Sequence, residues 1–433
     1  MRSRPFLALL PYLLALPVHA AEDARPAEGR SLTFGAALDL VRAQGVDVLG
    51  ARLDAARVEA SSRAAHRAWQ PDLSLGASST ERLDKDGTSA SFDAGLQSSV
   101  ALWHGGEVRG RSRGAAADAT AARHSLDRAY QDVAWDLATR WIALDQARAR
   151  LAVAGTSSDL EATTLERIQA LVDAGARTRA DLASQRASVA EAIATVAQAE
   201  GNVALSELSL VHLLRLDATQ DWAFEPLEDR PPIRTEASRS LLDEAIRERP
   251  DLAALCADAD SADAAVAVAR AGWLPSLDLG AGLSTGWSSA SEGTLAGQLD
   301  RSVGGSLALQ LQVPLWDRGA TRSAVDQARS SRELAGLVLE DARQEAMTEV
   351  LSVLERQRTA AAVLTATQSR VQAAEEAEAL TRLRYEAGAA SLVELAQARS
   401  TLEDARQSEV TARYDVLSLQ WELAWATGSL AVP

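Results

Sequence analysis

A single cysteine, Cys256, stands in 433 residues, so there is no disulfide framework, and no cysteine lies at the export cleavage site to carry a lipid. In its Ala-rich surroundings Cys256 reads as a small core residue. The apolar run from Phe6 to Val18 is too short to span a bilayer as a helix and is broken by Pro11 and Pro17. With Met1-Arg2-Ser3-Arg4 ahead of it and Val18-His19-Ala20 behind, it reads as a cleaved export signal over residues 1–20, followed by an N-terminal extension over 21–31. Basic charge is short: 44 Lys and Arg against 60 Asp and Glu give −16, which argues against a nucleic-acid partner. The five histidines, His19, His66, His104, His124 and His212, are scattered, with no metal-ligand pair and no nucleophile beside a base. Gly105-Gly106 lacks the spacing and the lysine of a phosphate loop, so neither an enzyme nor a cofactor or metal site is expected. Of twelve prolines, none lies between Asp72 and Glu225 or between Leu315 and Val432, and those gaps are where helices must run.

What is present is one design stated twice. Trp69-Gln70-Pro71-Asp72-Leu73-Ser74-Leu75-Gly76 returns 204 residues later as Trp273-Leu274-Pro275-Ser276-Leu277-Asp278-Leu279-Gly280. Val100-Ala101-Leu102-Trp103 returns 213 residues later as Val313-Pro314-Leu315-Trp316, and Ala174-Gly175-Ala176 returns as Ala387-Gly388-Ala389 at the same shift. The nine additional residues fall between Gly280 and Val313, where the run from Ser284 to Ser302 is rich in Gly and Ser. Long halves that change period together mark a duplicated architecture. The first repeat covers 32–216 and the second 236–428, with an irregular linker at 217–235 holding Pro226, Pro231 and Pro232, and a short C-terminal end at 429–433.

From Gly105 to Val172 the chain is dominated by helix formers, enough for a helix of about 100 Å, which a single compact globule would not need. Leu395, Ala398, Leu402, Ala405, Glu409, Ala412, Val416, Leu419, Leu423 and Ala426 follow alternating steps of three and four, and the first repeat shares that register from Leu182 and Gln185 to Leu213. Such a seam, rich in Ala, suits supercoiled helices in close approach or the core of an ordinary helical bundle. The hairpin tips fall at 174–177 and 387–390, where Gly ends one helix and Thr178 or Ser391 caps the next. Ser391-Leu392-Val393-Glu394 has capping-box spacing, and Thr178-Arg179-Ala180-Asp181 approximates it.

After Trp69 and Trp273 the period drops to two. Leu73, Leu75 and Ala77, then Phe92, Ala94, Leu96 and Val100, alternate with polar or small residues, and Leu277 to Leu283 and Val303 to Val313 do the same. Each repeat thus supplies two strands of about ten residues, within about 71–103 and 275–316, long enough to cross a bilayer when tilted. The stretches Glu81 to Ala90 and Ser284 to Ser302 are expected as polar loops. Trp69, Trp103, Trp273 and Trp316 stand at matching strand ends, as an aromatic girdle at a membrane surface would. Four strands leave open edges that lipid does not tolerate, so several chains must close one barrel, eight strands from two copies or twelve from three. The rival reading is a periplasmic coiled-coil structural or adhesion protein with a soluble sheet.

In the order of these features the chain resembles the TolC family of outer-membrane efflux proteins over nearly all of its mature length. The resemblance rests on the duplicated helix, strand pair, long helix and hairpin. It rests also on Gly272-Trp273-Leu274-Pro275-Ser276-Leu277, on Val313-Pro314-Leu315-Trp316-Asp317-Arg318-Gly319, and on Tyr385-Glu386-Ala387-Gly388 followed by Ser391-Leu392-Val393-Glu394-Leu395. It implies a mainly α chain with a membrane β-barrel portion, and a homotrimer whose twelve-stranded barrel continues into a periplasmic helical tube. That tube is closed at its far end until a periplasmic adaptor and an inner-membrane pump dock. It further implies adaptor contact at Ala174, Gly175, Ala176, Ala387, Gly388 and Ala389, and an aperture gate at Asp181, Tyr385, Glu394 and Gln397. The arginine that joins the family's gate is absent at Ala390. Drugs, metals or an unfolded polypeptide, as in type I secretion, all remain open as cargo.

Overall fold

The computed structural model describes residues 31–84, 87–228, 231, 234, 238–289 and 294–430. The expected export signal and nearly all of the expected N-terminal extension lie outside the described residues. The first half runs β1 (Ser31–Leu32), α1 (Phe34–Gln44), α2 (Val46–His66), β2 (Ser74–Asp84), β3 (Gly87–His104), α3 (Glu107–Asp173) and α4 (Arg179–Leu213). After β4 (Ala223–Phe224), the second half runs α5 (Ser238–Glu248), α6 (Pro250–Ala271), β5 (Ser276–Ser288), α7 (Leu295–Arg301), β6 (Gly304–Gln312), α8 (Ala320–Glu386) and α9 (Leu392–Ala426). The long helices and the short first helix of the two halves agree in length: 11 residues in α1 and α5, 67 in α3 and α8, 35 in α4 and α9.

The helices stop where the backbone requires it. At the tips, Gly175 and Gly388 take φ of 71° and 76°, a region that a β-carbon disfavours, and each ends its long helix. Ala176 N–H then donates to Leu171 O at 2.8 Å and Ala389 N–H to Arg384 O at 2.7 Å, which satisfies carbonyls left over by the helix end. Pro250 opens α6 at a position whose N–H has no intrahelical partner.

The helices form a layer one helix thick. Toward the tips its lateral order is α4, α3, α9, α8, and toward the sheet it is α2, α3, α6, α8. Small residues permit the second approach: Gly114 and Ala121 of α3 lie against Ala264, Ala254 and Ala257 of α6. One border of the layer is therefore α2 with α4 and the other is α8. Both borders carry uncovered apolar side chains: Leu53, Ile193, Leu205 and Leu208 on the first, Leu334, Leu337, Leu380 and Leu383 on the second.

The largest core lies midway, where the stretch that joins the halves wraps the bundle. β1 pairs in parallel with β4, and Leu32, Phe34, Leu137, Trp141, Leu210, Phe224, Leu227 and Trp421 bury together. Phe34 meets Trp141 edge-on at 5.6 Å between centroids and Trp421 at 5.2 Å, while Trp141 Nε1 donates to Glu225 O at 2.9 Å. The expected irregular linker thus contains β4, and Leu227 N–H is held by Asp145 Oδ2 at 2.9 Å. A second aromatic group secures the end of α9: Trp135 stacks on Trp425 at 4.9 Å, and the Arg128 guanidinium sits 4.1 Å from the Trp425 centroid.

The four long strands form one antiparallel sheet in the order β2, β3, β5, β6. The halves join within the sheet at β3 and β5, leaving β2 and β6 as edges. Two stretches expected as loops are ordered differently. Strands run through most of 81–90, β2 reaching Asp84 and β3 starting at Gly87, because polar side chains suit strand ends that project beyond an apolar zone. In 284–302, β5 continues to Ser288 after β6 has stopped pairing at Ser284, and α7 takes over. Ser302 Oγ accepts from Gly286 N–H at 2.9 Å and Gln298 Oε1 from Ser288 N–H at 3.0 Å, so side chains around α7 satisfy the strand edge that β6 no longer covers. The nine extra residues of the second half are spent here.

Candidate functional site

Two parts of the molecule carry chemistry that its own core does not use: the sheet and the hairpin tips. Register assigns every side chain of the sheet to a face. Across the strands Leu75 pairs with Leu96 and Leu96 with Leu283; Ala281 pairs with Leu307; Val100 pairs with Leu279 and Leu279 with Leu309; Trp103 pairs with Leu277 and Leu277 with Leu311. All of these share one face, which is exposed in the protomer, Leu307 at 77% and Leu309 at 65%. The opposite face reads Gly76, Gly95, Ser284; then Gln97, Gly282, Ser306; then Ser99, Gly280, Ala308. One wall is thus mainly apolar, with Ser98, Thr285 and Gly305 among its leucines, and the other is small and polar.

Antiparallel order brings the four tryptophans to one end. Trp69 and Trp273 lie in the turns that lead into β2 and β5, Trp103 closes β3, and Trp316 follows β6, all on the helix side of the sheet and all exposed. The sequence reading missed a second aromatic row: Phe92 pairs with Trp287 on the same apolar face near the far rim. Its signal was available in the shared parity of Phe92 with Leu96 and of Trp287 with Leu283. Between the Phe92 and Trp103 rows the strand rises about 35 Å, or about 27 Å across a wall tilted by ~40°.

At the tips, Ala174, Gly175, Ala176, Ala387, Gly388 and Ala389 are all exposed. Asp181 and Glu394 complete capping boxes. Asp181 Oδ2 accepts from Thr178 N–H at 3.2 Å while Thr178 Oγ accepts from Asp181 N–H at 3.1 Å, and Ser391 and Glu394 repeat the exchange. Arg384 stands 3.5 Å from Glu394. Tyr385 is 5% exposed, wedged between the hairpins among Ile168, Leu182, Leu392 and Leu395, and its buried hydroxyl has no hydrogen-bond partner within the protomer. The structure does not join these residues in one network: Tyr385 is an inter-hairpin core residue here, Asp181 and Glu394 are caps, and Gln397 lines a groove between α4 and α9. The family's missing arginine has a counterpart 213 residues earlier in the other tip. Arg177 places its guanidinium 4.5 Å from the Tyr385 ring centroid and so links the hairpins. Arg167 of α3 pairs with Glu386 of α8 at 2.9 Å on the surface beside it.

Comparison with known proteins gives this geometry its kin. Residues 37–214 and 241–429 match the family described as outer membrane efflux protein. The chain is 32% identical over 209 residues to the alkaline protease secretion protein AprF of Pseudomonas aeruginosa, a match that covers 47% of this chain and 42% of AprF. It is 25% identical over 365 residues to nodulation protein T of Rhizobium leguminosarum bv. trifolii, covering 83% of this chain and 77% of that protein. Among solved structures, the fold superposes on CusC with a TM-score of 0.81 at 19% identity, covering 91% of this chain and 92% of that one. A mainly helical protomer with a small sheet is the fold these proteins share. With two matched segments that together take in both halves of the duplication, the chain belongs to the outer membrane efflux protein family.

Proposed function

We propose that three copies of this chain close a twelve-stranded barrel in the outer membrane and a helical tube beneath it, forming a passive exit duct from the periplasm. One observation carries the reading: an open-edged sheet with a mainly apolar face on one side and a Gly, Ser and Gln face on the other, bounded by aromatic rows that a wall tilted by ~40° would set about 27 Å apart. That band matches the hydrocarbon zone of an outer-membrane barrel, and the small polar face suits a water-filled bore. A soluble fibre would leave the same leucines in water. Trp69, Trp103, Trp273 and Trp316 then form the periplasmic girdle, with Phe92 and Trp287 on the outer side.

The borders support closure by copies. Each layer ends in β2, α2 and α4 on one side and in β6 and α8 on the other, so a head-to-tail ring joins unlike borders throughout and buries the leucines that both leave uncovered. The tips, farthest from the membrane, are the surface for a periplasmic adaptor, through which an inner-membrane pump supplies energy and cargo. Their exposed Ala and Gly residues permit close helix-tip contact. Asp181, Tyr385, Glu394 and Gln397 lie at the end of the tube that has to open.

Fractionation tests the reading. The protein is expected to stay in outer membranes after alkaline and urea washes and to need detergent for release, as trimers that conduct weakly in planar bilayers. Recovery in the wash as a water-soluble monomer would remove the channel.

A further inference from the structure

Above the Tyr385 cluster, where seam residues are otherwise Ala and Leu, four helices meet at a buried charge. Arg399 of α9 donates from Nη1 to Thr164 Oγ1 of α3 at 2.9 Å and to Glu161 Oε1 of α3 at 3.2 Å, while its Nε stands 3.5 Å from Glu378 Oε1 of α8 without a hydrogen bond, and both of those atoms are buried. Gln185, a polar member of the α4 seam, donates to the Glu161 carboxylate and, at 3.1 Å, to the Glu161 carbonyl. Arg382 stands 3.6 Å from the other oxygen of Glu378 and balances the second acid. The side chains of Arg399 and Glu378 are 10% and 7% exposed, and Gln185 and Thr164 are buried as well. At 1.5 Å per residue, Arg399 lies about 11 Å along its helix from the tip.

Such a cluster is costly unless every partner is in place. Desolvating the ions is costly, and only hydrogen bonds from neighbouring helices offset it. Both hairpins contribute: α3 and α4 supply Glu161, Thr164 and Gln185, while α8 and α9 supply Glu378 and Arg399. Apolar packing beside it is slight, with Ala374, Leu402 and Ala405 above and the Tyr385 group below. Leucine and alanine seams accept small shifts, whereas a guanidinium bonded across the hairpins to Glu161 and Thr164 accepts one register. Opening the tube by moving one hairpin against the other must break this cluster.

We propose that Arg399, through Glu161 and Thr164, is a positioning residue that fixes the register of the two hairpins within each protomer and thereby sets the closed bore. This rests on the reading of the tip end as the aperture. It moves the main closing bond from the tip carboxylates to a site inside the layer, in a chain that lacks arginine at Ala390.

The test uses full-length trimers in planar bilayers, comparing wild type with Arg399→Gln, Arg399→Lys and Glu161→Gln, and with Trp141→Leu as a variant that weakens the chain elsewhere. The expected result is a several-fold rise in single-channel conductance for Arg399→Gln and Glu161→Gln, with trimers retained. Arg399→Lys should fall between these and wild type, because lysine keeps the charge but not the planar fork. Trp141→Leu should lower the melting temperature without opening the channel. Wild-type conductance in both Gln variants would overturn the proposal, as would loss of trimers in all three cluster variants, which would make the cluster a folding element. Absence of conductance from every variant, including one with both tips deleted, would instead remove the channel reading beneath it.

Discussion

The middle of the molecule and its tip are held by different physics. At the belt, large rings and leucines from six elements bury one another, and the joining stretch ties the two halves together through β1 and β4. At the tip the apolar cluster is small, its one ring keeps a hydroxyl without a partner, and the bonds between hairpins include a cation over a ring, a surface ion pair and the Arg399 cluster. Burial area has no preferred register, and charge pairing has a sharp one. A tube that must stay assembled yet open at one end needs the first property in the middle and the second where it moves.

The comparison can be broken at several points. Trp141→Ala should have the largest effect, a loss of about 3–5 kcal/mol per protomer from cavity formation, read by denaturant unfolding of detergent-solubilised trimers. Glycine exchanges separate the regions next. Gly428 in the belt has φ of 74°, and an added β-carbon would lie 2.9 Å from Glu248 O, whereas Gly388 at the tip has φ of 76° with open space around it. Gly388→Ala should therefore cost only the left-handed conformation, about 1–2 kcal/mol, and Gly428→Ala clearly more, in the same unfolding assay. Removing the tip cap by Thr178→Ala should cost about 1 kcal/mol locally, seen as faster proteolysis at the first tip with unchanged trimer melting.

Acid should weaken the belt through Asp251. Burial there opposes ionisation most strongly, but hydrogen bonds and charge from Arg249, with Arg128 adding, prevail and hold the carboxyl below the usual carboxylate value. The folded state then binds the proton less readily than the unfolded chain. Its contribution is complete above the unfolded value of about 3.9 and is lost as pH falls through the lower folded value. Melting curves from about pH 6 downward should show a decline below about pH 4 that Asp251→Asn reduces. The smallest effect is expected for Tyr385→Phe, since the hydroxyl has no partner to lose. Conductance and melting should match wild type, while Tyr385→Ala should raise conductance by removing the wedge. A Phe variant that opens the channel would assign the hydroxyl a bond across the boundary between protomers.

Much of the fold was legible because it is written in short-range signals. Absent prolines located the long helices, alternation located the strands, and paired Gly residues located the tips. The polar ends of β2 and β3 were not legible, because side chains such as Glu81 and Arg82 carry no apolar alternation once the strand leaves the apolar zone. α7 was hidden in a run rich in Gly and Ser whose role is to cap an edge, a matter of neighbours and not of propensity. The Arg399 cluster joins positions 161, 164, 185, 378 and 399, and only its seam member Gln185 hinted at it. Tyr385 was found by resemblance, but its place as a core wedge needed the packing.

The internal seam between β3 and β5 joins a first half to a second half, and so does each proposed seam between β6 and the next copy's β2. A chain half as long, with no covalent link between its copies, would face the same geometry as a ring of six. Fusion halves the number of bodies that must find one another and leaves three of the six joints to collision. It also freed the two halves to diverge: one spends extra residues on the outer rim, and the other keeps the arginine that the second tip lacks.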